Sequence, residues 1–233
     1  ILLISLLVVV IILFILYKTY RQKEKQTIWL NEKNKQIELL IRELHHRVKN
    51  NLQTISSLLS LQSIKVEDDR AKAALKEGQS RVDAMALIHQ KLYIDEDLRG
   101  VDMEEYLQAL IASLASAHGY KTEIVTQQIN MKSKTLDVDL AIPLGLIINE
   151  LVINSFKHAF HHISHPALLV RIEENNNQLE VNIADNGIGL KDPENLQSKS
   201  FGFKLVKTLV QQLKATLIAK NNNGTSFLIT LPL

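Results

Sequence analysis

Residues 1–17 (ILLISLLVVVIILFILY) hold one polar side chain, Ser5, and no charge. At about 1.5 Å per residue the run spans roughly 26 Å, close to the ~30 Å hydrocarbon core of a bilayer. It predicts a transmembrane helix whose span begins upstream, since the sequence opens on Ile rather than Met. A signal-peptide core is the rival, but a basic leader and a small-residue cleavage site are missing. A buried core helix is a third reading, disfavoured by β-branched residues on every side. From Gln22 to about Lys65 the pattern is helical, without Gly or Pro. Leu30, Ile37 and Leu44 recur at seven, with Ile41 and Val48 interleaved. Thr27 and Asn34 interrupt what is otherwise a short coiled-coil seam. A second helix is expected over Asp68–Leu92, with Leu75, Val82, Met85, Ile88 and Leu92 at helical spacing. Two long amphipathic helices with a short join predict a hairpin that completes a four-helix bundle by dimerising. A third helix is expected at 102–117, ending before Gly119.

Beyond that point the period changes. Residues 122–129 alternate as a strand, 139–160 return to helix, and 168–173, 178–184, 215–219 and 225–231 alternate again. NNN at 175–177 and NNNG at 221–224 supply the turns of two hairpins. The expected fold class is α plus α/β: the transmembrane helix, a long dimerisation hairpin, and a C-terminal α/β sandwich with an antiparallel sheet. The expected domains are 1–17 (membrane), 18–40 (coiled-coil linker), 41–100 (hairpin) and 101–233 (α/β domain).

Composition sharpens this picture in three places. The net charge of +2 is a local +3 at residues 18–25 (KTYRQKEK) on a remainder of −1. The basic flank directs the rest of the chain to the cytoplasm, and no general basic character argues for nucleic acid. All four prolines (Pro143, Pro166, Pro193, Pro232) fall after residue 142, where the helical part gives way to the mixed part. The absence of Cys excludes thiolate zinc sites, disulfides and a cysteine nucleophile.

Candidate chemistry lies in three motifs. The first is Glu43-Leu-His-His-Arg-Val-Lys-Asn-Asn-Leu-Gln53, inside the first long helix. At about 100° per residue, His46 points away from the stripe of Ile37, Ile41, Leu44, Val48, Leu52, Ile55 and Leu59. His45 falls on the edge of that stripe, so His46 is the better nucleophile. The second motif runs from Asn149 and Glu150 through Asn154 to Lys157 and His158 on a half-buried helix. A carboxylate and amides there are hard oxygen ligands suited to Mg²⁺, and the Lys suits phosphate. The third is Asp185-Asn-Gly187-Ile-Gly189, a strand running into an Asp and two glycines. The Asp can accept from an adenine amino group and the glycines admit a ligand to the backbone; alone, this motif fits a plain turn as well. Downstream, Gly202 opens another helix, whose N-terminal amides suit phosphate, and the last hairpin offers Gly224 and Thr225. His158, His161, His162 and His165 form a histidine cluster, but no carboxylate is placed to complete a zinc site, so none is expected.

The stretch ELHHRVKNNLQTISSLLSLQ resembles the phosphoacceptor helix of sensor histidine kinases marked by an HRxKNNLQ motif, and RVDAMALIHQKLY resembles the second helix of the same hairpin. The later motifs resemble the N, G1 and G2 boxes of the ATPase superfamily of histidine kinases, gyrase, Hsp90 and MutL. By that resemblance His46 is the phosphorylated histidine of an ATP-dependent protein histidine kinase. It further implies that Asn154 and Glu150 serve Mg²⁺, directly or through water, and Lys157 the phosphates. Asp185 would read adenine, with His158, Gly187, Gly189, Gly202 and Thr225 around the nucleotide. Ser200 stands where the family has the first glycine of the G2 box, and the lid (190–201) is short. The family's acidic residue after the histidine, common in another class, is Arg47 here, leaving Glu43 as a possible base. The implied cofactors are ATP and Mg²⁺, and the implied partners a second copy of the chain and the receiver domain of a response regulator. The implied location is the bacterial inner membrane, with the catalytic part cytoplasmic. A phosphorelay scaffold that binds nucleotide poorly, or an ATPase or kinase acting on another protein, are the alternatives; the complete Asn154/Asp185/Gly187/Gly189 set opposes the first and the HHRVKNN helix the second.

Overall fold

The computed structural model describes residues 2–91, 100–133, 135–160, 163–175, 177–193 and 201–233, with residues 2–10 and Lys91 described without their side chains. Two compact units divide the chain, 1–45 and 46–233. Helix α1 (Leu2–Lys65) crosses that division. In the first unit it is the whole structure, and Ile11–Tyr17, Leu30, Ile37 and Leu44 are exposed. Among the described residues, one helix is long and apolar enough to cross a membrane, Val138–Ala159, and 72% of its window is buried. Burial inside the protein accounts for that hydropathy, as in any core helix. The expected span at 1–17 falls largely on residues whose side chains are outside the description.

In the second unit, α1 ends at Lys65 and α2 (Asp69–Lys91) begins after a short join. Asp68 caps α2 by accepting from Ala71 N–H at 2.7 Å, a side-chain oxygen replacing one missing helical acceptor. The two helices face each other where Gly78 lies against Leu59. Helix α2 then packs on α3 (Met103–Ala117) and α4 (Val138–Asn154). Asp102 and Asp137 cap those helices in the same way as Asp68.

Among the described residues there are seven strands, and the five of the main sheet follow the alternation in the sequence. A two-residue ribbon pairs β1 (Val101–Asp102) with β3 (Thr135–Leu136), too short to leave a period. The main sheet has the order β2-β4-β5-β7-β6. Its strands are β2 (Val125–Asn130), β4 (Leu168–Asn175), β5 (Gln178–Asp185), β6 (Thr216–Asn221) and β7 (Thr225–Pro232). The expected strand at 122–129 starts as a 3₁₀ turn, Thr122–Ile124, and only then extends. The sheet is also not wholly antiparallel. Strand β2 pairs parallel with β4, because α4 lies between them and returns the chain in the same direction. Asn177 and Asn223 take positive φ in the two hairpin turns, a conformation Asn tolerates well.

The sheet's inner face carries Leu168, Val170 and Ile172, then Leu179, Val181 and Ile183, then Phe227, Ile229 and Leu231. It meets α3, α4 (with Ile147, Ile148 and Leu151 buried) and α5 (Phe201–Gln212). Each such aliphatic side chain contributes about 1.5–3 kcal/mol on burial. Two inner rows run on into polar residues: 179, 181, 183 end at Asp185, and 231, 229, 227 end at Thr225. The period that builds the core therefore delivers a carboxylate and a hydroxyl at its rim.

Tyr106 on α3 is fully buried, and its hydroxyl has no hydrogen-bond partner among the described residues. The oxygen abuts Gly145, where an added Cβ would approach to 2.5 Å. Burial pushes the phenol's pKa far up, so it stays neutral. Tyr106→Phe is expected to stabilise the fold by about 1 kcal/mol, since it removes an unpaired buried polar atom. A rise in the urea midpoint of the full chain at unchanged slope checks this.

Candidate nucleotide site

Helix α4 does not end as an ordinary α-helix. After Asn154 it widens into a π-helical turn, Ser155–Ala159. Such a turn resets the phase of everything after it. Asn154 and Glu150, one α-turn apart, share a face and line a cavity of about 600 Å³. His158 also lines it. Lys157, three residues after Asn154, does not; it lines a neighbouring cavity of about 540 Å³ between α2, α3 and α4.

Asp185 forms part of the cavity wall and is 8% exposed. Its Oδ1 accepts from Gly187 N–H at 3.0 Å and Thr225 N–H at 3.1 Å, and its Oδ2 from the Ser155 hydroxyl at 2.9 Å. Three donors hold the carboxylate in one orientation, with one Oδ2 lone pair left for a ligand. Ser155 carries no motif in the sequence; it follows Asn154 at the end of the helix, and the fold brings its hydroxyl to Asp185. Asn186 bridges the loop, accepting from Ala167 N–H and donating to the His165 carbonyl.

The glycines work through close approach. An added Cβ at Gly187 would lie 2.4 Å from Ala159, and at Gly202 2.2 Å from Glu150 Oε2. Gly189 has φ +74° and lines the cavity. Gly187 does not line it, but permits the contact in which Ile188 N–H donates to the Ala159 carbonyl. Asn221 accepts from Leu190 N–H and donates back to its carbonyl, tying the start of the 190–201 segment to β6. Residues 194–200 of that segment, Ser200 included, lie outside the described residues, as do His161 and His162.

Two residues from α2 also line the cavity and were missed in the sequence reading. Arg81 donates to Glu150 twice, Nε to Oε1 at 2.7 Å and Nη2 to Oε2 at 2.9 Å. Lys157 Nζ donates to Glu77 Oε1 at 2.7 Å. Burial would raise the Glu77 carboxyl, but bonding and charge from Lys157 and then Arg81 hold it below the ordinary carboxylate range. No local pattern announces these partners.

On α1, His46 is exposed and His45 half-buried, and burial lowers the His45 imidazole below its ordinary value. Glu43 is exposed.

The cavity suits a nucleotide. Its volume is that of a small-ligand site, its floor carries an oriented carboxylate, and one wall is glycine backbone. For a divalent cation, Glu150 and Asn154 offer one carboxylate and one amide oxygen. That is a fitting donor set for Mg²⁺, which takes few protein ligands and completes its shell with phosphate and water.

Comparison with known proteins agrees with this geometry. Residues 43–118 match a family model described as histidine kinase, and residues 139–233 match one described as histidine kinase-, DNA gyrase B- and HSP90-like ATPase. The sensor histidine kinase PdtaS of Mycobacterium tuberculosis is 32% identical over 197 residues, 82% of this chain and 39% of that protein. Blue-light-activated histidine kinase 2 of Erythrobacter litoralis is 29% identical over 196 residues, 82% of this chain and 56% of its own length. The chain thus spans well under two thirds of these relatives. The solved histidine kinase domain of the Erythrobacter litoralis EL346 blue-light-activated kinase superposes with a TM-score of 0.60 at 21% identity. That superposition covers 79% of this chain and 94% of that one, and it supports the fold. The ATPase-like domain implies ATP binding. With an HRxKNNLQ-type helix followed by this ATPase-like domain, the chain belongs to the histidine kinase family.

Proposed function

We propose that the chain transfers the γ-phosphoryl group of ATP to His46 and then to an aspartate on a response regulator's receiver domain. The observation that carries the reading is the oriented carboxylate of Asp185 in a nucleotide-sized cavity shared with Glu150 and Asn154. Residues 41–100 would form the dimerisation and phosphotransfer hairpin, and 101–233 the ATP-binding domain. The exposed apolar positions of α1 suit a second copy of the chain. Residues 1–17 would anchor the protein in the inner membrane, with 18–40 as a coiled-coil linker and the remainder cytoplasmic. The uncharged run at 1–17 and the basic flank support that placement.

Asp185 would accept from the adenine amino group, in a pocket shaped by Gly187, Gly189, Gly202, Thr225 and His158. A Mg²⁺ ion held by Glu150 and Asn154, directly or through water, would neutralise charge on the triphosphate oxygens. Lys157 would meet the phosphates once released from Glu77. Neutral imidazole is a competent nucleophile near pH 7. A ring nitrogen of His46 would bond the γ-phosphorus as the bond to the β–γ bridging oxygen breaks and ADP leaves. The ring proton must then be accepted, and Glu43, three residues earlier in the sequence, is the proposed acceptor. Positioning would supply most of the acceleration.

Incubating the full chain, in membranes, with γ-labelled ATP is expected to give acid-labile, base-stable label. Asn154→Ala is expected to reduce that label by about 100-fold, in line with loss of a group stabilising transferred charge. Intact labelling in Asn154→Ala would overturn the metal assignment. Chain released from the pellet by a carbonate wash would remove the anchor.

A further inference from the structure

Helix α2 presents Glu77 and Arg81 one turn apart, and both engage the helix that carries the proposed metal and phosphate ligands. The pairing is crossed. The base of α2 grips the acid of α4 through two bonds, and the acid of α2 holds the base of the π turn through one. We propose that these two ion pairs form a latch in which helix α2 competes with the metal–nucleotide for Glu150 and Lys157. The proposal rests on the roles given to those two residues above.

Charge and lone pairs set the competition. With both Glu150 oxygens in a bidentate guanidinium pair, few lone pairs remain for a cation or its waters. A divalent cation placed there also meets the like charge of Arg81. In the same way, a triphosphate that approaches Lys157 meets the Glu77 carboxylate, which lines the same cavity. Each half of the ligand therefore repels the α2 residue that holds its receptor. On leaving Glu150, Arg81 keeps a partner of opposite charge, because its Nη2 already lies 3.5 Å from Glu77 Oε2.

The latch also reaches the far side of the cavity. The Arg81 guanidinium carbon sits 4.9 Å from the centroid of the Phe201 ring, in the first turn of α5 beside cavity-lining Gly202. Release of Arg81 would free that turn as well. By linkage, any movement that draws α2 off α4 raises nucleotide affinity by the factor with which nucleotide favours the movement. The hairpin that carries His46 would thus control admission to the ATP site.

The test uses the full chain, fluorescence titration with mant-ATP and Mg²⁺, and amide hydrogen exchange over residues 69–91. Glu77→Gln keeps the shape and removes the charge at a partly exposed pair (30% and 36% for the Lys157 and Glu77 side chains). It is expected to tighten mant-ATP binding about three- to tenfold. Exchange in α2 is expected to quicken in the variant without nucleotide, and in the wild type on adding it. Arg81→Gln is expected to tighten binding too; it strands the buried Glu150, so Glu77→Gln decides the outcome if Arg81→Gln does not fold. Unchanged or weaker binding in Glu77→Gln overturns the latch while leaving the site reading intact. A wild type that binds no mant-ATP overturns the site reading, and the latch with it.

Discussion

His46→Gln is expected to reduce acid-labile phosphate on the chain to background, while His45→Gln leaves most of it. Glutamine keeps helix propensity and a polar, neutral side chain, but its amide has no nucleophilic lone pair to match an imidazole nitrogen. His46 is exposed on α1, whereas His45 is half-buried with its imidazole pKa lowered by desolvation. The more exposed ring is the better placed to meet a donor. Because His46 is absent from the cavity lining, mant-ATP affinity is expected to be unchanged in His46→Gln. The split between lost label and retained binding separates a lost acceptor from a damaged site. Label that persists in His46→Gln and vanishes in His45→Gln would move the acceptor by one residue.

Gly224→Ala is expected to destabilise the fold by about 3 kcal/mol or more, from strain at positive φ plus overpacking. Gly224 has φ +135°, and an added Cβ would lie 1.9 Å from the Asp185 carbonyl oxygen and 2.7 Å from its carbonyl carbon. Those are backbone atoms of β5, so no side chain can turn aside. Relief requires moving the end of the strand that carries Asp185, and with it the bonds to Gly187, Thr225 and Ser155. Nucleotide affinity should therefore fall even in the fraction that stays folded. Gly119→Ala is the control: φ is +75°, but nothing lies within 4 Å of the added carbon. It should cost only the conformational strain, about 1–2 kcal/mol, with nucleotide affinity unchanged. Urea unfolding and mant-ATP titration of both variants measure this; equal losses in the two would show that contact with Asp185 is immaterial.

Much of the site is legible along the chain because its parts are carried by local periods. The alternation that buries Val181 and Ile183 also turns Asp185 inward, and the same rule brings Thr225 to the rim beside it. Glu150 and Asn154, four apart on a helix, share a face by geometry alone. The outward aim of His46 follows from counting positions on α1.

Other features depend on more than local pattern. Lys157 sits at i+3 from Asn154, yet it reaches Glu77 on α2 and lines the neighbouring cavity instead of the one that Asn154 lines. Ser155 becomes a partner of Asp185, 30 residues away, only through the packing of α4 on β5. The parallel β2–β4 pair was hidden because alternation reports which face a strand buries, not the direction of its neighbour.

By itself the sequence determined the order of the helices and of the five main-sheet strands, the inward rows that end in Asp185 and Thr225, and the HRxKNNLQ helix with its exposed histidine. These are short-range properties, written in spacings of two to seven residues. Only the tertiary structure decided which charges meet. Arg81 finds Glu150 across 69 positions of chain and Glu77 finds Lys157 across 80, so both pairs exist only because α2 folds back onto α4. Ion pairing between distant elements has no period. Its partners are chosen by packing.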